Sequence, residues 1–295
     1  MLGKFLWTAC ITPFTYDASS VDYKAFEFLL KRQSNAGNGI LILGSTGESL
    51  SLSLSERQEM VKFVCNLNLS EPIIVGVPSY NIEEAEKWIS FCNNMPISGY
   101  LLTTPIYTKP GIIGQTKWFE RLMDFSNYPV MLYNIPSRAG INLYPETLKN
   151  LISHEKLSAL KDSSGSVESL IAYKNVAPDL VVYCDDDYLF LEMCINGSKG
   201  LVSVSANIWP EAIKLHTKEI LENNPTEIKA FWQASKSLFT ASNPIPAKAL
   251  MHKLGLISNP SVRLPLSNED LPSLEPLLEA NFNIESWFAA NSKDF

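Results

Sequence analysis

The sequence predicts an α/β fold, a (β/α)8 TIM barrel with a C-terminal helical extension. Eight short apolar segments recur about every 20 to 34 residues, and amphipathic helical stretches lie between most of them. Strands that alternate with helices pair in parallel through right-handed crossovers, and eight of them can close into a barrel. The competing open sheet should carry a glycine-rich turn after its first strand, but ITPFTYDASS stands there. The closed barrel is therefore favoured.

The eight segments are predicted as strands because they are short, apolar and rich in β-branched residues. In chain order they are FLWTACI from Phe5, GILILG from Gly39, PIIVGV from Pro72, YLLTT from Tyr100, PVMLYN from Pro129, LSALKD from Leu157, LVVYCD from Leu180 and GLVSVS from Gly200. Residues 22–36 carry apolar side chains at helical spacing. Residues 55–68 open with SERQ, in which Ser55 is the expected helix N-cap.

The strand pattern ends near residue 225. Beyond it, FWQASKSLF, PAKALMHKL and residues 269–280 predict helices. The sequence thus predicts two domains, a catalytic barrel over residues 1–224 and a helical domain over residues 225–295. Because no low-complexity linker separates them, we expect the helices to pack on the barrel.

Charge and hydropathy exclude several classes of function. The chain has 295 residues, a formal net charge of −7 and a hydrophobic content of 46%. No block of Lys or Arg offers a footprint for nucleic acid, and no apolar run approaches the roughly 18 to 20 residues of a membrane span. The opening MLGKFLWTACITPF is interrupted by Thr8, Thr12 and Pro13, so it is expected to form a strand rather than a signal peptide. We expect a cytoplasmic protein without nucleic-acid or membrane partners.

Metal sites and disulfides are not expected. The five cysteines are odd in number, and no two of them have the C-x-x-C spacing. The three histidines, His154, His216 and His252, are scattered along the chain without acidic partners at metal-ligand spacing.

A lysine stands at the end of the sixth predicted strand, at the barrel mouth where such folds hold their active sites. An unperturbed lysine has a pKa of about 10.4 and is almost entirely charged near neutral pH. Desolvation would favour the neutral amine and make Lys161 a nucleophile towards carbonyl groups. A solvent-facing Lys161 paired with Asp162 is the structural alternative.

Neighbouring strand ends supply groups that suit this chemistry. Tyr133 is predicted to share a strand face with Met131, and its hydroxyl could pass protons to and from a carbinolamine on Lys161. A core aromatic with a satisfied hydroxyl is the alternative. Ser45 and Thr46 lie in the turn GSTGES, whose hydroxyl and N–H groups suit a small carboxylate.

Arg138 follows the fifth predicted strand. Its guanidinium suits two-pronged binding of a carboxylate, although a solvated charge is the ordinary role of a loop arginine. No glycine-rich loop follows the seventh or eighth strand, which argues against the usual phosphate site of barrels. The expected substrate therefore carries carboxylates.

Five motifs follow one another along the chain: GSTGES, TPIYTKP, YNIPSRAG, KDSSG and NPIPAK. Together they resemble the dihydrodipicolinate synthase/N-acetylneuraminate lyase family, and the resemblance extends from ITPF near the start to RLPL near residue 263. Members of this family are (β/α)8 barrels with a C-terminal helical domain, usually tetrameric, that form a Schiff base with pyruvate or a pyruvate-yielding substrate. The resemblance implies a homotetramer that needs no metal or cofactor.

The resemblance also implies roles for individual residues. Lys161 matches the Schiff-base lysine and Tyr133 the general acid/base tyrosine. The other matches are Ser45, in place of a relay threonine, Thr46 at a carboxylate-binding position, Tyr107, the relay tyrosine that enters the neighbouring subunit's site, and Val202, which flanks the pyruvate.

Arg138 distinguishes branches of the family. In synthases that condense pyruvate with aspartate semialdehyde, the corresponding arginine binds the semialdehyde carboxylate, whereas sialic acid lyases resemble YNIPALSG there. YNIPSRAG thus favours a synthase of lysine (diaminopimelate) biosynthesis. The alternatives are another pyruvate-dependent class I aldolase or lyase, of the N-acetylneuraminate lyase or hydroxy-oxoglutarate aldolase type, and a catalytically silent binding barrel.

Two departures from the family pattern stand out. After the seventh strand, CDDD places Asp185 where synthases usually have the glycine of Gly-Asp-Asp. A carboxylate there could alter the pocket for the second substrate. KDSSG also replaces the more familiar KEA-x-G.

The expected response to lysine follows from the feedback site that some relatives carry. Glu84 matches that site, but other residues replace its polar or aromatic ligands: Leu54, Arg57, Tyr80 and Ile106. We therefore expect weak or no inhibition by lysine. Steady-state rates at increasing lysine concentration test this, and half-inhibition at low millimolar lysine would contradict it.

Overall fold

The computed structural model describes residues 3–78 and 81–292. Eight parallel strands, paired in chain order and closed by pairing of the last with the first, form a barrel. The strands are β1 Leu6–Ala9, β2 Gly39–Ile42, β3 Ile73–Gly76, β4 Gly99–Thr103, β5 Val130–Asn134, β6 Leu157–Asp162, β7 Val181–Cys184 and β8 Gly200–Ser203. The predicted (β/α)8 barrel and all eight predicted strands are confirmed.

Twelve α-helices surround and follow the strands in the described part of the chain. They are α1 Tyr23–Asn35, α2 Leu54–Asn66, α3 Ile82–Cys92, α4 Ile112–Phe125, α5 Pro136–Ala139, α6 Pro145–Leu151, α7 Val167–Val176, α8 Phe190–Ile195, α9 Pro210–Leu221, α10 Ile228–Ser237, α11 Ile245–Lys253 and α12 Glu275–Asn291. No helix within residues 3–78 and 81–292 has both the length and the apolar character needed to cross a bilayer.

Two helix boundaries differ from the prediction. Ser55 is not the N-cap of α2: Ser53 accepts a hydrogen bond from the Glu56 N–H, and the Glu56 carboxylate accepts one from the Ser53 N–H. This reciprocal capping box satisfies two N–H groups at once, which a cap at Ser55 would not do. The last helix begins at Glu275 rather than residue 269, since residues 268–270 form a separate short 3-10 turn.

The core has two layers. One lies between the strands and the surrounding helices, and the other fills the barrel lumen. Side chains alternate along each strand, so every second residue points into the lumen. The lumen layer comprises Trp7, Ala9, Leu41, Ile74, Leu101, Met131, Tyr133, Ile135, Ala159, Tyr183 and Val202. The predicted shared face of Met131 and Tyr133 is confirmed.

The C-terminal helices are joined to the barrel by buried polar contacts. Lys248 of α11 donates to the Glu48 carboxylate at 2.5 Å and to the Ser261 carbonyl at 2.9 Å. The side chains of Lys248 and Glu48 are 0% and 1% exposed. Burial lowers the pKa of Lys248 to about 8, against the opposing influence of Glu48. Because Glu48 ends the turn after β2, this pair ties α11 to the barrel mouth. The boundary at residue 225 stays a prediction.

Replacing Lys248 with methionine is expected to lower the free energy of unfolding by about 3 to 5 kcal/mol, because the Glu48 carboxylate would remain buried without its ammonium partner. Urea unfolding followed by tryptophan fluorescence measures this. The matched control is Lys31→Met, which removes an exposed pair with Glu27 of the same 2.5 Å length and should cost less than about 1 kcal/mol. Equal losses in the two variants would contradict the prediction.

Candidate active site

Three polar side chains meet at the carboxyl ends of β5, β6 and β7. Tyr133 of β5 is the direct ladder neighbour of Lys161 on β6. Asp185 immediately follows β7, and its N–H donates to the Asp162 carbonyl at 3.0 Å, so the β6–β7 ladder continues to that residue. Lys161 lies two residues after the lumen residue Ala159, and alternation therefore turns it into the barrel. Strand register alone brings these groups together.

Lys161 is buried, with 3% of its side chain exposed. Its Nζ lies 2.7 Å from Asp185 Oδ1 and 4.0 Å from the centre of the Tyr133 ring. A cation over an aromatic face and beside a carboxylate is held by both. The solvent-facing alternative for Lys161 is therefore wrong.

Asp185 also binds the tyrosine. The Tyr133 hydroxyl donates to Asp185 Oδ2 at 2.7 Å. Burial and the Asp185 charge raise the pKa of Tyr133 well above its ordinary value, while Ser45 and Arg138 oppose this rise. The phenol consequently stays protonated near neutral pH and is available as a donor.

The carboxylate that pairs with Lys161 is not the one next to it in the sequence. Among the described residues, its carboxylate partner is Asp185 rather than Asp162, which the solvent-facing alternative would pair with it. Asp162 accepts hydrogen bonds from Asn134 and Ser164 instead. The strand pattern predicted that Lys161 lies at the barrel mouth but not this ion pair.

The turn after β2 lies beside the tyrosine. Ser45 is near enough to Tyr133 to lower its pKa, and Thr46 is buried, with its hydroxyl accepting from Asn243 Nδ2 at 2.8 Å. The Asn243 carbonyl in turn accepts from Arg138 Nη2 at 3.2 Å. Asn243 thus connects two predicted substrate-binding residues. We did not single it out from the sequence, although it is the first residue of the NPIPAK motif.

A cavity of about 410 Å³ opens beside these residues. Ser45, Tyr133 and Arg138 line it, together with Ile106 and Asn243. Lys161 and Asp185 are not among its lining residues. The Arg138 guanidinium lies at the cavity, and Tyr133 both lines the cavity and contacts the buried amine.

Two further predicted site residues lie elsewhere. Val202 is fully buried in the lumen layer that includes Tyr133. Tyr107 lies on the surface, 90% exposed, and is not brought to Tyr133 within one chain. Its φ of +68° is in the left-handed region, and its N–H donates to the Ala139 carbonyl at 3.2 Å.

Three of the positions compared with the lysine-feedback site of some relatives lie on α2 and α3: Leu54, Arg57 and Glu84. Arg57 donates to the Pro78 carbonyl at 3.2 Å, and the charge of Glu84 acts on its guanidinium. Leu54 is exposed, and Ile106 lines the cavity. Tyr80 lies outside the described residues. A guanidinium beside Glu84 would compete with a lysine ammonium, which agrees with the predicted insensitivity.

Asp186 and Asp187 continue the acidic loop after Asp185. Burial raises the pKa of Asp186 to about 7, and the neighbouring carboxylates add to this rise. Burial raises the pKa of Asp187 to about 6, although hydrogen bonds from Ser203 and Val204 oppose the rise. The oxygen atoms of Asp187 thus hold the end of β8, with Val204 N–H donating at 3.0 Å.

Asp186 is expected to make the protein less stable as pH rises from about 4 to 7. A carboxyl group whose folded-state pKa is raised stabilises the fold below its unfolded value, near 4, and loses that contribution as pH rises through about 7. The free energy of unfolding of Asp186→Asn, measured relative to that of the unmodified chain, should therefore be higher at pH 7.5 than at pH 4.5. Urea unfolding at the two pH values measures this. The control is the exposed Asp270→Asn, and the same pH dependence in both variants would refute the assignment.

Comparison with known proteins agrees with this geometry. The model of the dihydrodipicolinate synthetase family matches residues 4–280. The chain is 53% identical to a 4-hydroxy-tetrahydrodipicolinate synthase of Wolbachia pipientis subsp. Culex pipiens (strain wPip), over 97% of this chain and 98% of that protein. It is 43% identical to the enzyme of the same name from Francisella tularensis subsp. novicida (strain U112), over 98% of both chains.

A solved structure extends the comparison to the fold. The dihydrodipicolinate synthase of Acinetobacter baumannii, described as chloride-inhibited and complexed with pyruvate, superposes with a TM-score of 0.87 at 28% identity, over 97% of this chain and 99% of that one. The prediction of a lyase of the dihydrodipicolinate synthase type is confirmed by these relatives. The chain belongs to the dihydrodipicolinate synthetase family.

Proposed function

We propose that the chain condenses pyruvate with aspartate semialdehyde through an imine on Lys161. The observation that carries this is the buried Lys161 ammonium, which lies 4.0 Å from the Tyr133 ring centre and shares a carboxylate with the Tyr133 hydroxyl. An amine and a proton donor that lie together at the carboxyl ends of neighbouring strands suit the formation and dehydration of a carbinolamine. The relatives named for this reaction support the same activity.

The chemical steps follow from the site. Lys161 attacks the carbonyl carbon of pyruvate, and Tyr133 supplies the proton with which the carbinolamine oxygen departs as water. The resulting imine withdraws electrons from the adjacent methyl group, so the loss of a proton gives the enamine. The enamine attacks the aldehyde of the second substrate, and cyclisation of the product releases the free lysine.

Substrate carboxylates are assigned to two places. The turn with Ser45 and Thr46 suits the pyruvate carboxylate, and Val202 would flank the bound keto acid in the lumen. Arg138, at the cavity of about 410 Å³, suits the semialdehyde carboxylate. The similarity to a synthase complexed with pyruvate supports pyruvate as one of the substrates.

Tyr107 would complete the proton relay from a neighbouring subunit. Its 90% exposure supports a role outside that chain. We therefore propose a homotetramer in the cytoplasm in which each site borrows this tyrosine. The residue roles, the tetramer and the location rest on the family resemblance together with these placements.

The test compares acceptors at saturating pyruvate. Turnover should be fastest with aspartate semialdehyde and much slower with N-acetylmannosamine or glyoxylate. Arg138→Ala should raise KM for the semialdehyde while leaving KM for pyruvate near its original value. Faster turnover with another aldehyde would reassign the enzyme to a sibling aldolase. No pyruvate adduct after borohydride treatment would instead favour a binding barrel.

A further inference from the structure

We propose that Asp185 is a catalytic acid/base group that accepts the Lys161 ammonium proton and returns it through Tyr133 when water departs. This inference rests on the proposed imine chemistry and adds a group to it. An ammonium cannot attack a carbonyl, because its lone pair is held by a proton. A base must therefore stand beside Lys161 before the first bond forms.

The geometry assigns this task to one carboxylate. Asp185 Oδ1 lies 2.7 Å from Lys161 Nζ, and Asp185 Oδ2 lies 2.7 Å from the Tyr133 hydroxyl oxygen. Both distances are within reach of direct proton transfer. Each oxygen is thus dedicated to one of the two reacting side chains. Asp185 is 11% exposed, and its backbone is held by the β6–β7 ladder, so its position depends on rigid elements.

The neighbouring groups are less suited to the task. Asp162 is occupied by Asn134 and Ser164, and Asp187 by Ser203 and Val204. Tyr133 remains protonated because burial and the Asp185 charge raise its pKa. It is consequently a donor and requires a second group to resupply its proton.

The proton count closes with Asp185 in this role. Lys161–NH3+ transfers one proton to the Asp185 carboxylate, and the free amine forms the N–C bond with the carbonyl carbon of pyruvate. A second proton moves from nitrogen to the former carbonyl oxygen and gives the carbinolamine. The Asp185 proton then reaches that hydroxyl through Tyr133, the C–O bond breaks, and water leaves. One proton remains on the iminium nitrogen, and Asp185 is again a carboxylate beside the new cation.

Several charged or titratable groups act on Asp185 and must be considered in any pH profile. Lys161 and Tyr133 contact it directly, from β6 and β5. The others that act through their charge or through Tyr133 are Asp162 on β6, Cys184 at the end of β7, Asp186 and Asp187 in the following loop, and Arg138 after β5.

The experiment measures the rate of imine formation rather than turnover alone. The enzyme is mixed with pyruvate, quenched with borohydride at set times and analysed by mass spectrometry for the adduct on Lys161. Asp185→Asn keeps the shape but cannot take a proton, and the adduct should form about 10²-fold more slowly. Asp186→Asn makes the same substitution one residue away and should change the rate only a few-fold. Unfolding temperatures of both variants verify that they fold.

A further readout separates proton transfer from a structural role. In Asp185→Ala, added formate should restore part of the rate in proportion to its concentration, whereas it should not accelerate Asp186→Ala.

The outcomes distinguish this inference from the proposed function. If the unmodified enzyme forms no adduct, the imine chemistry fails, and this inference fails with it. If it forms the adduct but Asp185→Asn matches or exceeds its rate, the carboxylate is a bystander or a restraint on the resting lysine, and only the present inference is overturned. An Asp185→Ala variant whose rate formate does not restore overturns it equally.

Discussion

Replacing Lys161 with alanine is expected to abolish the pyruvate adduct and to lower kcat by on the order of 10⁴-fold or more. A covalent nucleophile divides one difficult reaction into easier steps. Its loss therefore lowers the rate by several orders of magnitude. Mass spectrometry after borohydride treatment detects the adduct, and steady-state assays with aspartate semialdehyde measure kcat. The imine requires a primary amine at this position, and the chain has no other described amine beside Tyr133.

Two controls separate nucleophilicity from charge and from unrelated damage. Lys161→Arg keeps a cation beside Asp185, but a guanidinium stays protonated and does not form the imine. This variant should therefore be as inactive as the alanine variant. Lys31→Ala removes an exposed lysine and should keep nearly full activity. Activity above about 1% in Lys161→Ala would contradict the assignment, since the expected loss is far larger.

Replacing Tyr133 with phenylalanine is expected to lower kcat by about 10² to 10³-fold while changing KM for pyruvate little. The ring remains beneath the Lys161 ammonium, so the contact at 4.0 Å is kept, but the proton donor is lost. The Asp185 oxygen that accepted the phenol hydrogen bond at 2.7 Å also loses a donor. The free energy of unfolding should fall by about 1 kcal/mol, the usual cost of one such hydrogen bond.

The lumen offers a matched control for this variant. Tyr183 belongs to the same lumen layer as Tyr133, is equally buried, and its hydroxyl donates to the Lys4 carbonyl at 2.7 Å. Tyr183→Phe should therefore lose similar stability but should change kcat only a few-fold. If the two phenylalanine variants lost the same activity, the effect of Tyr133 would reflect packing and not proton transfer.

The predictions that depend on local pattern agree closely with the structure. Strand identity follows from short apolar runs, and the two layers of the core follow from alternation along those strands. The inward directions of Lys161 near the end of β6 and of Tyr133 on β5 are consequences of the same alternation. Helix ends were predicted less well, because α2 is capped by the reciprocal bonds of Ser53 and Glu56 rather than by the first serine of SERQ.

The partners of the reactive groups were not accessible from local pattern. Asp185 was recognised only as a departure from the family, with an expected effect on the second substrate. Tyr133 and Asp185 are 52 residues apart in the chain, and their hydrogen bond exists because β5, β6 and β7 lie side by side in one ladder. The link through Asn243 likewise joins residues 197 positions apart.

The amino-acid sequence by itself determined the order of strands and helices and the end of the barrel at which Lys161 lies. Periodicity is a property of neighbouring residues, so these features need no knowledge of distant contacts. Closure of the barrel decided that the amine meets the Asp185 carboxylate and the Tyr133 ring. The physical reason is that an ion pair depends on distances of a few ångströms, which only the register between separate strands can set.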